Sequence, residues 1–207
     1  MNSSAEVSIL KAGGPLIFRQ LYEHESSTYT YLLADRKTKQ ALLIDPVLET
    51  VQRDAQVIKD LGLNLTTILN THVHADHITG SGKLKTIFPL AKSMISKASG
   101  ARADKYFEHQ ELIKFGNFKL ECRSTPGHTV GCFIFVFHEA SCAFTGDALL
   151  YRGCGRTDFQ AGNSSKLYES IHKQIFTLPD NFLLFPAHDY RGHTVTSVDE
   201  EKRLNPR

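Results

Sequence analysis

Hydrophobic positions follow two different periods along the chain, and together these predict a mixture of strands and helices. Short apolar or alternating runs, bounded by polar residues or glycine, predict strands at 28–35, 40–45, 66–71, 93–97, 133–138, 142–147 and 182–189. Val51, Ala55 and Ile58 are instead spaced for one face of a helix, which Gly62 ends. Two more helices are predicted at 81–88 and 165–178.

The segment 111–125 predicts a hairpin that turns at Gly116 and Asn117. Strands outnumber helices and both recur in each half, which favours sheets covered by helices in an α/β or α+β layered domain. The chain has 207 residues, of which 41% are hydrophobic. We therefore expect one domain over 1–207, with enough core to fold without a disulfide or a structural metal.

Composition argues against two classes of partner. The 24 basic and 22 acidic residues leave a net charge of +2, which gives no electrostatic case for nucleic acid or an anionic membrane. The longest apolar runs, such as 132–137, are strand-sized and too short to span a bilayer. The N-terminal residues 1–14 lack the arginine-rich amphipathic pattern of a transit peptide, so no targeting segment is visible.

The cysteines are expected to be free thiols of a reducing compartment, because none forms a C-x-x-C pair and nothing resembles a secretory signal. They are Cys122, Cys132, Cys142 and Cys154.

Metal-type ligands stand at four places from residue 66 onward where a predicted strand runs into a loop. The seven candidates are His72, His74, Asp76, His77, His128, Asp147 and His188. Strand ends hold such side chains on a rigid scaffold, so ligands far apart in sequence can converge. Four of them fall in THVHADH (71–77), whose spacing cannot face one way on a strand or helix but can wrap an ion from a loop.

The ligand types and their number indicate a catalytic site. Imidazole nitrogens and carboxylates suit borderline metals such as Zn or Fe(II). Seven candidates exceed the needs of a closed structural site, which favours an open site of one or two metals. Singly, each has an ordinary explanation; Asp147, for example, could cap a helix that begins near Ala148. The other histidines are interpreted as surface or packing residues: His24, His109, His138, His172 and His193.

THVHADH, followed in order by His128, Asp147 and His188, resembles the signature of the metallo-β-lactamase superfamily. The resemblance implies an α+β fold, an αββα sandwich of two mixed β-sheets flanked by helices, with the metal site at one edge. A narrower resemblance, to the persulfide dioxygenases, covers nearly the whole chain. It rests on 42–63, 70–82, 124–132, 143–160, 175–179 and 185–198, and GDALLYRGCGRTDFQ (146–160) is the most specific stretch.

The narrower resemblance implies a reaction and a cofactor. Glutathione persulfide would be oxidised by O₂ and water to sulfite and glutathione in sulfide detoxification, with one Fe(II) per chain. By motif position, the iron ligands would be His72, His128 and Asp147, a set that leaves positions open for sulfur and O₂. Four other residues would take catalytic roles by orienting groups or moving protons: His74, Asp76, His77 and His188.

Glutathione carries two carboxylates, and guanidinium groups grip carboxylates in bidentate fashion. Arg152 and Arg156 follow Asp147 in a glycine-rich stretch and are predicted to bind the substrate. Tyr190 is predicted to form a pocket wall. Cys154 is interpreted as a packed residue rather than a redox-sensitive thiol.

The resemblance also gives expectations about context. It implies a mitochondrial matrix protein if the source is eukaryotic and a cytoplasmic one otherwise, with a homodimer as a possible assembly. Family members usually continue past the point where this chain ends at EEKRLNPR, so the domain is expected to be short at its C-terminus.

Two other functions compete with a dioxygenase. A glyoxalase II-type thioester hydrolase with two metals could use all seven ligand candidates, and would cleave S-lactoylglutathione without O₂. A catalytically idle partner-binding module would show degenerated ligands, and none is degenerated here.

Overall fold

Twelve strands pair into two six-stranded sheets in the computed structural model, which describes residues 13–207. The first sheet holds β1 (Leu16–Glu23), β2 (Thr28–Asp35), β3 (Gln40–Ile44), β4 (Asn64–Leu69), β5 (Lys92–Ser96) and β6 (Lys105–Phe107) in chain order. Its first three strands are antiparallel, and β3 to β6 are parallel. Both pairing types therefore occur in this sheet.

The second sheet is also mixed. Its strands are β7 (Leu112–Phe115), β8 (Phe118–Ser124), β9 (Phe133–Phe137), β10 (Cys142–Gly146), β11 (Leu183–Pro186) and β12 (Thr196–Ser197), again in chain order. Only β10 and β11 are parallel. As a result β8, β10 and β11 run in the same direction and end at one edge of the sheet.

Apolar side chains fill three layers. Between the sheets, Tyr31, Leu33 and Phe135 are buried together with aromatic neighbours. Outside the first sheet lie α1 (Val51–Asp60) and α2 (Ser81–Ile87); outside the second lie α3 (Ser164–Ser170) and α4 (Val198–Leu204). These layers confirm the predicted αββα sandwich of two mixed sheets flanked by helices.

The predicted elements are found with small changes of boundary, and one helix differs in kind. The helix predicted at 165–178 is α-helical only to Ser170 and continues as a π-helical turn over Ile171–Ile175, where Phe176 N donates to Ile171 O at 2.9 Å. Three strands and one helix were not predicted: β1, β6, β12 and α4. Each of these elements is either short or carries polar residues among its apolar ones. No clear apolar period therefore marks it in the sequence, and only packing in the folded protein determines its structure.

The described residues test only some of the remaining expectations. All four cysteines are free, as predicted. No helix within 13–207 is long and apolar enough to cross a membrane. The interpretation of the N-terminal segment falls mostly on residues 1–12, outside the described part, and the single domain over 1–207 stays a prediction.

Candidate metal centre

All seven candidate ligands lie at one edge of the sandwich, in loops that follow strands. THVHADH (71–77) follows β4 in the first sheet, while His128, Asp147 and His188 follow β8, β10 and β11 in the second. The sheets approach each other closely here: a Cβ at Gly146, whose φ is +53°, would lie 2.8 Å from Thr71. Glycine at position 146 therefore lets the two loops meet.

His72, His128 and Asp147 form the first of two ligand groups. The Nε2 atoms of His72 and His128 lie 4.0 and 3.5 Å from Asp147 Oδ2. Ligands bonded at about 2 Å to one ion stand about 3 to 3.5 Å apart. The three atoms are thus close to a coordinating arrangement without any backbone movement.

The hydrogen bonds of the two histidines leave Nε2 of each ring free for a metal. His128 Nδ1 lies 2.7 Å from Arg156 O, and since a carbonyl only accepts, Nδ1 carries the proton. Thr71 donates its hydroxyl to Asp45 Oδ2 at 2.8 Å and so accepts from His72 Nδ1 at 2.9 Å. Burial, and then the neighbouring histidines, hold the pKa of His72 well below its usual value, which keeps the ring neutral and able to ligate.

Asp45 is a buried support that the sequence analysis missed. Its Oδ1 accepts from Thr71 N at 2.7 Å and lies 3.1 Å from His74 Nε2. Burial disfavours the imidazolium form of His74, but the Asp45 carboxylate outweighs it and raises the pKa of His74 above its usual value. A signal was present, because Asp45 is the last residue of the strand predicted at 40–45 and directly follows β3.

His74, Asp76 and His188 form the second ligand group. His188 Nε2 lies 3.6 Å from Asp76 Oδ2 and 3.5 Å from Asp147 Oδ1. Asp147 therefore turns one carboxylate oxygen toward each group. Asp76 Oδ2 also accepts from His77 Nδ1 at 2.9 Å, and the Thr28 hydroxyl lies 3.4 Å from each of Asp76, His77 and His188.

The site fits a metal ion by a further observation. Asp147 Oδ1, His74 Nδ1 and His77 Nε2 are buried without a hydrogen-bond partner in the described part of the chain. Unpaired buried polar atoms are costly, and a bound ion can supply the partner that such ligand atoms lack. The described residues therefore include a donor set suited to Zn or Fe(II).

A cleft of about 440 Å³ opens over Asp147 and His128. Arg156 and Tyr190, both predicted to contact substrate, line it, together with Phe159, which the sequence analysis missed. Arg156 is exposed and forms a bidentate pair with exposed Asp158, at 2.8 and 3.0 Å. Tyr190 is 71% exposed and stacks parallel to the ring of His188.

Arg152 is placed differently from Arg156. Its guanidinium bonds Glu200 at 2.5 Å, and it lines a neighbouring cavity of about 310 Å³ rather than the cleft over Asp147. The substrate-binding role of Arg152 stays a prediction. Cys154 lines both cavities, and burial raises the pKa of its thiol above the usual value.

The remaining histidines contact other parts of the protein. His193 stacks on Tyr151 with ring centroids 3.9 Å apart, and His109 Nδ1 accepts from Ser124 N. His138 pairs with Glu121, and His172 bonds Tyr168 O. His24 packs edge-on against Tyr22.

Comparison with known proteins agrees with this geometry. The model of the metallo-beta-lactamase superfamily matches residues 25–188. The mitochondrial persulfide dioxygenase ETHE1 of Bos taurus is 59% identical over 95% of this chain and 77% of its own length. The crystal structure of ETHE1 from Myxococcus xanthus is 51% identical, with a TM-score of 0.89, over 92% of this chain and 84% of that chain. The hydroxyacylglutathione hydrolase GloC of Haemophilus influenzae is 34% identical over 81% of this chain and 87% of its own length.

By its sandwich fold and its histidine–aspartate centre, the protein is a metal-dependent enzyme of the metallo-β-lactamase superfamily. Within that superfamily, the chain belongs to the persulfide dioxygenase family.

Proposed function

We propose that the protein holds one Fe(II) on His72, His128 and Asp147 and oxidises glutathione persulfide with O₂ and water to sulfite and glutathione. The observation that carries the proposal is the first ligand group: two imidazole Nε2 atoms and one carboxylate oxygen converge without rearrangement. Such a facial set leaves coordination positions open, which is the arrangement of non-haem Fe(II) oxygenases. Family membership supports the same reaction.

The bound ion would supply a Lewis-acidic, redox-active point at which sulfur and dioxygen meet. The chain's own residues hold the reactants around that point. Asp147 contributes the negative charge of the donor set. His188 Nε2 lies within 3.6 Å of both Asp76 and Asp147, so it is placed to hold and pass on a proton released as the sulfane sulfur is oxidised.

The cleft is suited to a glutathione moiety. Arg156 presents a guanidinium fork at the rim, and its present partner, Asp158, is exposed, so a substrate carboxylate can replace it at little cost. Phe159 and Tyr190, 53% and 71% exposed, provide apolar walls for the peptide. Holding the tail at the rim leaves the terminal sulfur directed toward Asp147 and His128.

A thioester hydrolase is the second candidate, because the second ligand group is complete and shares Asp147 with the first. One experiment separates the two functions. Protein prepared without air is analysed for iron and zinc per chain, then assayed with glutathione persulfide in an oxygen electrode and with S-lactoylglutathione in the absence of O₂. We expect about one iron per chain and O₂ uptake only with the persulfide. Two zinc ions, with hydrolysis in the absence of O₂, would contradict the proposal.

Two expectations about context belong to the same proposal. A mitochondrial matrix location follows from the family if the source is eukaryotic, and fractionation of the source cells tests it. A homodimer is the assembly implied by the family, and sedimentation equilibrium of the metal-loaded protein tests it.

A further inference from the structure

Glu201 is a fully buried acidic residue, and no basic side chain within residues 13–207 bonds its carboxylate. Its carboxylate accepts from Thr196 Oγ1 at 2.7 Å, Asn205 Nδ2 at 2.7 Å and Arg152 N at 3.1 Å. The Arg152 guanidinium turns instead to Glu200. Burying an acidic group is costly unless it is hydrogen-bonded, and here the donors come from three separate places in the chain, so Glu201 ties them together.

The backbone N–H of Arg152 belongs to a tight loop, the Leu150–Arg156 loop. Leu150 and Gly153 exchange both backbone hydrogen bonds, at 3.0 and 3.1 Å. Arg152 at the tip has a φ of +52°, which a residue with a side chain adopts only under constraint. Helix α4 and the residue after it supply that constraint: Glu201 accepts from the Arg152 N–H, and Asn205 donates to Gly153 O at 3.1 Å.

The far end of this loop contacts two metal ligands. Gly155 N donates to the backbone carbonyl of Asp147 at 2.7 Å, and Arg156 O accepts from His128 Nδ1 at 2.7 Å. Gly155 lies so close that an added Cβ would stand 2.8 Å from the His128 ring. A shift of the loop therefore moves the carbonyl that fixes the tautomer and orientation of His128.

We propose that Glu201 is a positioning residue of the metal centre, which acts through the Leu150–Arg156 loop on His128 and Asp147. The inference rests on metal binding by the first ligand group, as in the proposed function, but it does not depend on which reaction the metal serves. Its effect should appear in metal affinity and in the ligand field, since groups that orient metal ligands typically change affinity about 10- to 100-fold when removed.

The test compares Glu201→Gln with Glu200→Gln. Glutamine keeps the size of residue 201 but turns an NH₂ group toward donors, so at least one contact to the loop or its neighbours is lost. Residue 200 lies on the same helix and bonds the Arg152 side chain, not the backbone. Affinity for Fe(II), and for Co(II) as a spectroscopic probe, is measured by chelator competition, with thermal melting of the metal-free proteins as a fold control.

We expect about 10- to 100-fold weaker binding and altered Co(II) d–d bands in Glu201→Gln, with Glu200→Gln within about 3-fold of wild type. Should Glu201→Gln fail to fold, Asn205→Ala, which removes the bond to Gly153 O, should weaken binding in the same direction. Unchanged Co(II) bands and affinity in a folded Glu201→Gln or Asn205→Ala variant would overturn the proposal. The test measures metal binding and not turnover. Its outcome can therefore be interpreted even if the protein does not catalyse the proposed dioxygenase reaction.

Discussion

The two ligand groups both contact the Asp147 carboxylate, but the hydrogen bonds that their other atoms make are different. In the first group, His72 and His128 give their Nδ1 protons to a threonine hydroxyl and a backbone carbonyl, which leaves both Nε2 atoms directed at Asp147. In the second group, a residue of the same loop already bonds the carboxylate: Asp76 Oδ2 accepts from His77 Nδ1 at 2.9 Å. The histidines of the first group are oriented by residues outside it, whereas in the second group His74 is held by Asp45 and Asp76 is bonded by the adjacent His77.

The carboxylates of the two groups also differ in solvent exposure and in the charges around them. The Asp76 side chain is 36% exposed, against 12% for Asp147. Burial opposes ionisation of Asp76, but the hydrogen bond from His77 and the charge of His188 lower its pKa below the usual value. The ionised form of the Asp76 carboxyl group is thus favoured by the imidazoles beside it. The comparison teaches that ligand-type residues at one edge differ in the hydrogen bonds that hold them, so their number alone does not give the number of metals.

The largest effect is expected from replacing a ligand of the first group. His72→Ala, His128→Ala or Asp147→Ala should lose metal and turnover together, with turnover down by more than about 100-fold, since removing a ligand costs more than removing a group that orients one. Elemental analysis after gel filtration, beside steady-state O₂ uptake, measures both. A variant that keeps a full complement of iron would break the distinction between the groups.

The next effect belongs to the second group. His188→Ala should slow turnover by about 100-fold through loss of a proton-handling group, while iron stays bound. The measurement is kcat beside iron per chain in the same preparation. Complete loss of iron would place His188 among the ligands and support a site of two metals.

A matched pair of threonines sharpens the comparison further. Thr71 supports His72, and Thr28 contacts Asp76, His77 and His188. Thr71→Val should weaken Fe(II) binding by about 10-fold or more, whereas Thr28→Val should leave it within about 3-fold, because only Thr71 orients a ligand. Chelator competition measures both. Equal losses in the two variants would argue that the groups bind metal jointly.

The smallest effect is expected at the rim of the cleft, where the substituted side chain contacts neither ligand group. Arg156→Ala should raise the KM for glutathione persulfide by about 10-fold, since a charge-assisted hydrogen bond contributes about 1.5 kcal/mol or more. Iron per chain should not change. Asp158→Asn is the control, because it frees the Arg156 guanidinium and should not raise KM. An unaltered KM in Arg156→Ala would contradict the proposal that Arg156 binds a carboxylate of the substrate.

Side-chain chemistry at strand ends could be predicted from the sequence, whereas the contacts that orient it could not. THVHADH and the residues after β8, β10 and β11 were visible as ligand types at strand exits, and they do meet at one edge. The bond that fixes His128 comes from the backbone of Arg156, which any residue type would offer. Helix α4 was missed because only Val198 and Glu201 of its seven residues are buried, too few for a readable apolar period.

Asp147 stands between the two groups with one oxygen turned to each, and this has an evolutionary consequence. A second ion would need neither a new ligand nor a displaced strand, because His74, Asp76 and His188 already bring ligand atoms together beside Asp147. Occupancy of one or of two metal positions can therefore change on this scaffold with few substitutions and no change of backbone.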